Sequence, residues 1–540
     1  MEIRLDVCIP STCSNKDLQH VGNWIFGTAV DFNVGYCKIK DERIKYRNGQ
    51  LISLIVLGMF IAWVGLATLT EILMRLHIIP LKASEGRFFE YILGASPYKS
   101  LHKLYSTNLD ESTKSICGVK FFLINIVVLG HVGIAGIFFT TIGEKYTNIF
   151  KQAKLLLFEI IFQGLTMIES FFFYSGFMVM YLRQKSGRNS AKYYIMILVK
   201  RVIRYTLPIF FVLGFLILLP LLGEGPHWDV VISQAKLLES KWWKYISHIH
   251  IYSIGELTEG FNVLWFISAL LQLSILMSLL LCIVDRWPRF GRLAIIVLML
   301  TGIMMYIVDV VSNRYYVMLG IPAASEKSYK YMLYNYFKPY YSHLGTYCFG
   351  ALIGDILRNK KKIPFGKITL LLCWTGCIVL MTLSIFGAHS YKKNIMANEN
   401  IIIAFQCISP FAWTVGLAWL TVACVTGHGG TVNRLLSLRI FVVLNSLNVW
   451  IYLLHGLIIC YGAGSMRKAT GLLQFNMWMI YSFVMFLSLI AALFYFVFFE
   501  SPLRSLLSLV LRNRPSQETV TSNENITEMK TDTNSKSFVV

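Results

Sequence analysis

About eleven apolar runs, most near twenty residues long, recur along this chain with short polar loops between them. About 20 apolar residues in a helix suffice to cross a bilayer. The runs predict helical spans at roughly 51–73, 119–142, 155–182, 205–222, 262–284, 293–311, 343–357, 368–386, 401–425, 440–461 and 477–499. The expected fold class is therefore an all-α polytopic membrane protein with about eleven transmembrane helices. Charged residues are only 15% of the chain, against about 25% in soluble domains. The seventh run is short and holds Gly345, Gly350 and Gly354, residues that permit close helix packing.

The formal net charge of +21 would suit a nucleic-acid binder, but no basic segment carries a recognition motif, so no nucleic-acid partner is expected. The basic residues instead cluster in alternate loops. The set 74–118, 183–204, 285–292, 358–367, 426–439 and the tail from 500 carries about 28 Lys plus Arg, against about 14 in the alternate loops between spans. This asymmetry places the first set, and the C-terminus, in the cytosol. The N-terminus is then lumenal or extracellular, in the endoplasmic reticulum or plasma membrane. Cys8, Cys13 and Cys37 lie in the polar N-terminal segment and agree with an oxidising compartment, with at least one bridge expected among them or to a missing upstream cysteine. No apolar leader follows Met1, so the sequence is expected to begin inside a larger protein. The largest loop on that side, 223–261, holds GPHW and KWWK, which read as an interfacial aromatic belt. The tail from Pro515 is expected to be disordered, and its Asn525-Ile526-Thr527 sequon to go unused on a cytosolic tail.

The stretch from Ser115 to Ile142 carries the candidate chemistry. In a largely apolar run it carries two ionisable groups, Lys120 at its start and His131 near its middle. Eleven residues turn a helix through about 1100°, within roughly 20° of three full turns, and advance it by about 16 Å. Lys120 and His131 therefore share one helix face, a cation at the mouth and an imidazole at depth. Ionisable groups at membrane depth are costly and usually face a cavity or a partner. The pattern suits a pocket for a long anionic ligand. No metal-ligand spacing and no nucleotide-binding glycine loop is present, so no metal or prosthetic group is expected.

Several blocks then occur in a telling order. They are CIPSTCS at 8–14, Lys120-x10-His131, SFFFYSGF at 170–177, Arg201-x-x-Arg204, GPHW and KWW in the 223–261 loop, YFKPYYSHLGTYCFGALIGDIL at 336–357, VWIYLLHGLII at 449–459 and FFESPLR at 498–504. Together they resemble the acyltransferase-3 family of membrane proteins, in particular its invertebrate branch of nose-resistant-to-fluoxetine-like proteins. The resemblance covers roughly residues 1–510. It implies a truncated cysteine-bearing lumenal domain at 1–50, a first transmembrane helix at 51–73, a cytosolic linker at 74–118, an acyltransferase bundle of ten helices at 119–510 and a disordered tail at 511–540. Lys120 stands where the family has Arg, which keeps the charge but loses the planar fork. Glu169 stands where the branch usually has Asp.

The implied activity is transfer of an acyl group from cytosolic acyl-CoA, the donor substrate, to a hydroxyl of a lipid, sugar or other small acceptor. His131 is the candidate general base, since imidazole titrates near neutrality. Lys120, Arg201 and Arg204 are the candidate ligands for the CoA phosphates. Ser175-Gly176 is expected to allow close helix approach beside the pocket; the alternative is that the Ser175 hydroxyl orients His131. His455 reads as structural or acceptor-side, and Glu500 as one half of a salt bridge. The alternative is a non-catalytic lipid or drug carrier, or a regulator, that keeps the fold without turnover.

Overall fold

The computed structural model describes residues 9–510 apart from 11, 28–33, 35–44, 80–86, 107–108, 140–154, 157, 184–190, 226, 257–261, 318–326, 329, 338, 360–362, 393–397 and 468–473. Cys8, Cys37, the Asn525 sequon and the tail from 511 lie outside the described residues. Cys13 is exposed and forms no bridge among the described residues.

Among the described residues the regular elements are all helices. In chain order they are α1 (Asn15–Phe26), α2 (Asn48–Arg75), α3 (Arg87–Leu93), α4 (Pro97–Tyr105), α5 (Lys114–Phe139), α6 (Phe158–Phe162), α7 (Gly164–Tyr181), α8 (Ala191–Leu218), α9 (Trp228–Ile246), α10 (Trp265–Arg286), α11 (Pro288–Ser312), α12 (Leu344–Asn359), α13 (Lys367–Phe386), α14 (Glu399–Val425), α15 (Gly430–Leu436), α16 (Arg439–Ser465), α17 (Gln474–Tyr495) and α18 (Ser501–Val510). Two π-helical turns, Tyr331–Tyr336 and Phe496–Glu500, interrupt the series. Nine helices among the described residues are long and apolar enough to cross a membrane, so the protein is an all-α polytopic membrane protein.

The predicted span 155–182 is two helices that break at Gln163, α6 and the 18-residue α7. The predicted span 343–357 is the 16-residue α12. These two short elements form the centre of the bundle. An ideal Cβ on Gly176 of α7 would stand 2.0 Å from the Tyr347 carbonyl oxygen, and one on Gly350 of α12 would stand 2.0 Å from that of Phe173. Gly354 meets Phe177 in the same way at 2.4 Å. The glycines therefore let the two backbones touch over several turns, and most of α7 is buried.

The loops sort onto two ends of the bundle. At one end Tyr181 donates to Ser112 (2.9 Å), Tyr194 donates to Asp285 (2.9 Å) and Arg439 donates to the Tyr105 carbonyl (3.0 Å). At the other end Arg467 pairs with Glu224 (3.2 Å) and Arg314 with Glu399 (2.7 Å). The basic loops predicted to be cytosolic gather at the first end, here called the basic face.

One predicted loop is not a loop. Residues 228–246 of the 223–261 segment form α9, with a non-helical Lys241 near its end. It buries Trp228, Val231, Ala235 and Leu238 at helical spacing, while Trp242 and Trp243 remain half exposed. Beyond it, His248 bonds Thr206 of α8 and Ser268 of α10, each at 2.9 Å. Thr206 lies eleven residues before Ile217, whose carbonyl accepts from Gln50 at the end opposite the basic face. The segment thus dips about 16 Å along α8 into the bundle. The mixture of Trp and Lys concealed an amphipathic helix whose apolar stripe is satisfied only by tertiary packing.

Candidate functional site

The site is built on α5, which is one continuous helix and carries both Lys120 and His131. Half-buried His131 directs Nδ1 at the Val127 carbonyl, 2.9 Å away, one turn back on the same helix. A carbonyl only accepts, so Nδ1 carries the proton and Nε2 presents a lone pair. That is the tautomer a general base needs.

His455 of α16 meets His131 edge to face, with ring centroids 4.9 Å apart and planes at 65°. Its Nδ1 lies 3.1 Å from the Ile451 carbonyl, so it is held in the same tautomer. Its Nε2 is buried with no hydrogen-bond partner among the described residues. An unmade bond of this kind costs about 1–3 kcal/mol, and such cost concentrates where a ligand or a transferred proton completes the bond. The sequence reading left His455 as structural or acceptor-side; the structure places its ring beside that of His131. The sequence did mark it as a second histidine inside an apolar span. Which turn of α16 faces α5 is a tertiary fact that a single sequence does not carry.

Tyr452, one turn before His455, packs on it at 5.7 Å between centroids and donates to the Val263 carbonyl at 2.5 Å. This fixes the wall of the site.

The candidate cations come together on the basic face. Arg201 and Arg204 lie at i and i+3 on α8, below the helix-interior Pro208. Lys120 of α5 is within electrostatic reach of Arg204, which in turn feels Arg201, Arg504 and Glu500. Lys120, Arg201 and Arg204 are each half-buried, and none forms a salt bridge or hydrogen bond among the described residues. Adjacent like charges partly withdrawn from water are unfavourable unless an anion joins them.

Glu500 behaves as expected: it is held by Arg504 and by the Trp450 indole N–H. Ser175 does not orient His131. Its hydroxyl bonds Tyr347, which also approaches Ser274 at 3.3 Å. Glu169 serves a separate polar core, where its Oε1 lies 2.6 Å from His343 Nδ1. His343 Nε2 donates to the Tyr336 carbonyl at 2.8 Å, so the pair must share a further proton. The adjoining cavity measures about 10 Å³, room for a single water. Among the described residues no cluster of three or more His, Cys, Asp or Glu could hold a metal ion.

Comparison with known proteins fits this arrangement. The sequence profile of an acyltransferase domain, that of acyltransferase family 3, matches residues 113–497. Nose resistant to fluoxetine protein 6 of Caenorhabditis elegans is 24% identical over 98% of this chain and 68% of its own length. No solved structure matches.

Proposed function

Because the chain belongs to the acyltransferase-3 family, we propose that it moves an acyl group from acyl-CoA, entering at the basic face, to a hydroxyl of a lipid, sugar or other small acceptor. The observation that carries this reading is the pairing of a proton-accepting His131 Nε2 with three half-buried cations that form no salt bridge among the described residues, one of them on the same helix. In this reading His131 removes the acceptor's hydroxyl proton as the oxygen attacks the thioester carbon. The C–S bond breaks, the acyl–oxygen bond forms, and His131 returns the proton to the departing CoA thiolate. The unpaired Nε2 of His455 is an acceptor beside the imidazolium that forms between these steps. Lys120, Arg201 and Arg204 hold the phosphates, about 16 Å of helix away from the base.

The test is equilibrium binding of acyl-CoA to Lys120 variants at equal expression. Lys120→Ala is expected to weaken binding by about 1.5–3 kcal/mol, the range for a hydrogen bond to a charged group. Lys120→Arg is expected to match or exceed the native residue, because its fork reaches two phosphate oxygens. Equal affinity of all three would remove Lys120 from the donor site.

The reading also requires the basic face to be cytosolic, where acyl-CoA is made. A tag after Val540 is expected to react with antibody only in permeabilised cells, and a tag before Met1 to be shielded from the cytosol. Reaction of the C-terminal tag on intact cells would reverse the orientation. The N-terminal segment in this orientation faces an oxidising compartment, which would allow the bridges proposed for Cys8, Cys13 and Cys37. A carrier or regulator that keeps the fold would bind ligand without releasing CoA.

A further inference from the structure

The segment matched by the acyltransferase profile ends at residues 113 and 497, yet the basic face is closed by helices beyond both ends. α4 buries Ser100 and Leu104 and leaves Lys103 exposed. Its last residue, Tyr105, is tied by its carbonyl to Arg439 at the start of α16, and the helix packs on the π-helical turn Phe496–Glu500. α18 continues from that turn. Its Arg504 reaches back one turn to Glu500, and its Ser505 packs against Gly94 just after α3. The π-helical turn thereby brings Lys103 and Arg504 to one place. Arg504 repels both Lys103 and Arg204, and Glu500 is the carboxylate that attracts both. The cations thus run outward from His131 in two groups: Lys120, Arg201 and Arg204 on spanning helices, then Arg504 and Lys103 on short helices at the rim.

CoA presents its anionic groups in a matching order. From the thioester outward come the pantetheine arm, the diphosphate, and last the ribose with its 3′-phosphate. We propose that Lys103 and Arg504 form a second phosphate subsite that takes the terminal 3′-phosphomonoester, while the inner three cations hold the diphosphate. The inference rests on the acyl-CoA reading above. Two cations match a monoester that carries close to two negative charges. The five N–H donors of Arg504 let it hold Glu500 and a phosphate oxygen together.

The experiment measures equilibrium binding of CoA and of dephospho-CoA, which lacks only the 3′-phosphate, to the purified full chain in lipid nanodiscs. The wild type is expected to bind CoA at least about tenfold more tightly than dephospho-CoA. Lys103→Gln and Arg504→Gln are each expected to lose most of that preference, weakening CoA while leaving dephospho-CoA nearly unchanged. Lys120→Gln is expected to weaken both ligands alike. Should Arg504→Gln fail to fold for want of its partner to Glu500, Lys103→Gln on the exposed side of α4 decides alone. The subsite is overturned, with the acyl-CoA reading intact, if the Lys103 variant leaves the preference unchanged while Lys120→Gln still weakens both ligands. If the wild type binds neither ligand, the acyl-CoA reading falls and the subsite with it.

Discussion

Replacing His131 with Ala is expected to lower acyl transfer at saturating acyl-CoA by about 10² or more, because a positioned general base contributes roughly 10²–10⁴. The expectation rests on three structural facts. Nδ1 is committed to the Val127 carbonyl, so Nε2 is the basic nitrogen. The residue is half-buried on the same continuous helix that carries Lys120. A second imidazole with an unpaired Nε2 adjoins it. Acyl-CoA affinity should change little, since the cations proposed to hold the phosphates sit about three helical turns away. A loss of turnover at constant affinity separates a base from a packing residue, whose removal disturbs both. Unchanged turnover would take this histidine out of the chemistry and favour the carrier.

Gly350→Ala is expected to cost the fold about 3 kcal/mol or more. Overpacking a filled core typically costs about 1–3 kcal/mol, and sometimes more. Here the added methyl meets backbone, the Phe173 carbonyl oxygen at 2.0 Å and its carbon at 2.8 Å, and no rotamer change relieves that contact. α7 and α12 would have to part, and Gly176 and Gly354 lie in the same seam. The measurement is thermal unfolding in detergent, with Gly58→Ala of α2 as control, since a Cβ there has nothing within 4 Å. The control should melt like the wild type, or slightly higher from its better helix propensity. A Gly350→Ala protein that melts with the wild type would mean that the two backbones do not touch.

Much of this architecture was legible in the sequence because membrane spans are set by length and apolarity, which are local properties. The glycines of α12 and the Ser175-Gly176 pair announced close packing. That they pack on each other was not legible, because the two segments are far apart in sequence and the match is one of backbone shape. α6 and α7 read as one span because the apolar residues on either side of Gln163-Gly164 add up to a run long enough to cross a bilayer. α9 was hidden for the opposite reason: its polar half resembled a loop.

That Lys120 and His131 share one face was legible because helix geometry alone puts them there, and α5 is one continuous helix over both. Arg201 and Arg204 were legible by the same argument. That His455 stands beside His131 was not legible, because the two lie on different helices. The cations at the rim were missed because Lys103 and Arg504 sit in polar segments where a charge is ordinary, and only the π-helical turn brings them to one place.

The most direct test of the central claim is release of free CoA thiol from acyl-CoA by the purified protein in nanodiscs, with and without a lipid or sugar bearing a free hydroxyl. The account predicts thiol release that depends on the hydroxyl acceptor, matches the acylated product mole for mole, and disappears in His131→Ala. Acyl-CoA that binds and is recovered intact across a panel of such acceptors would contradict it.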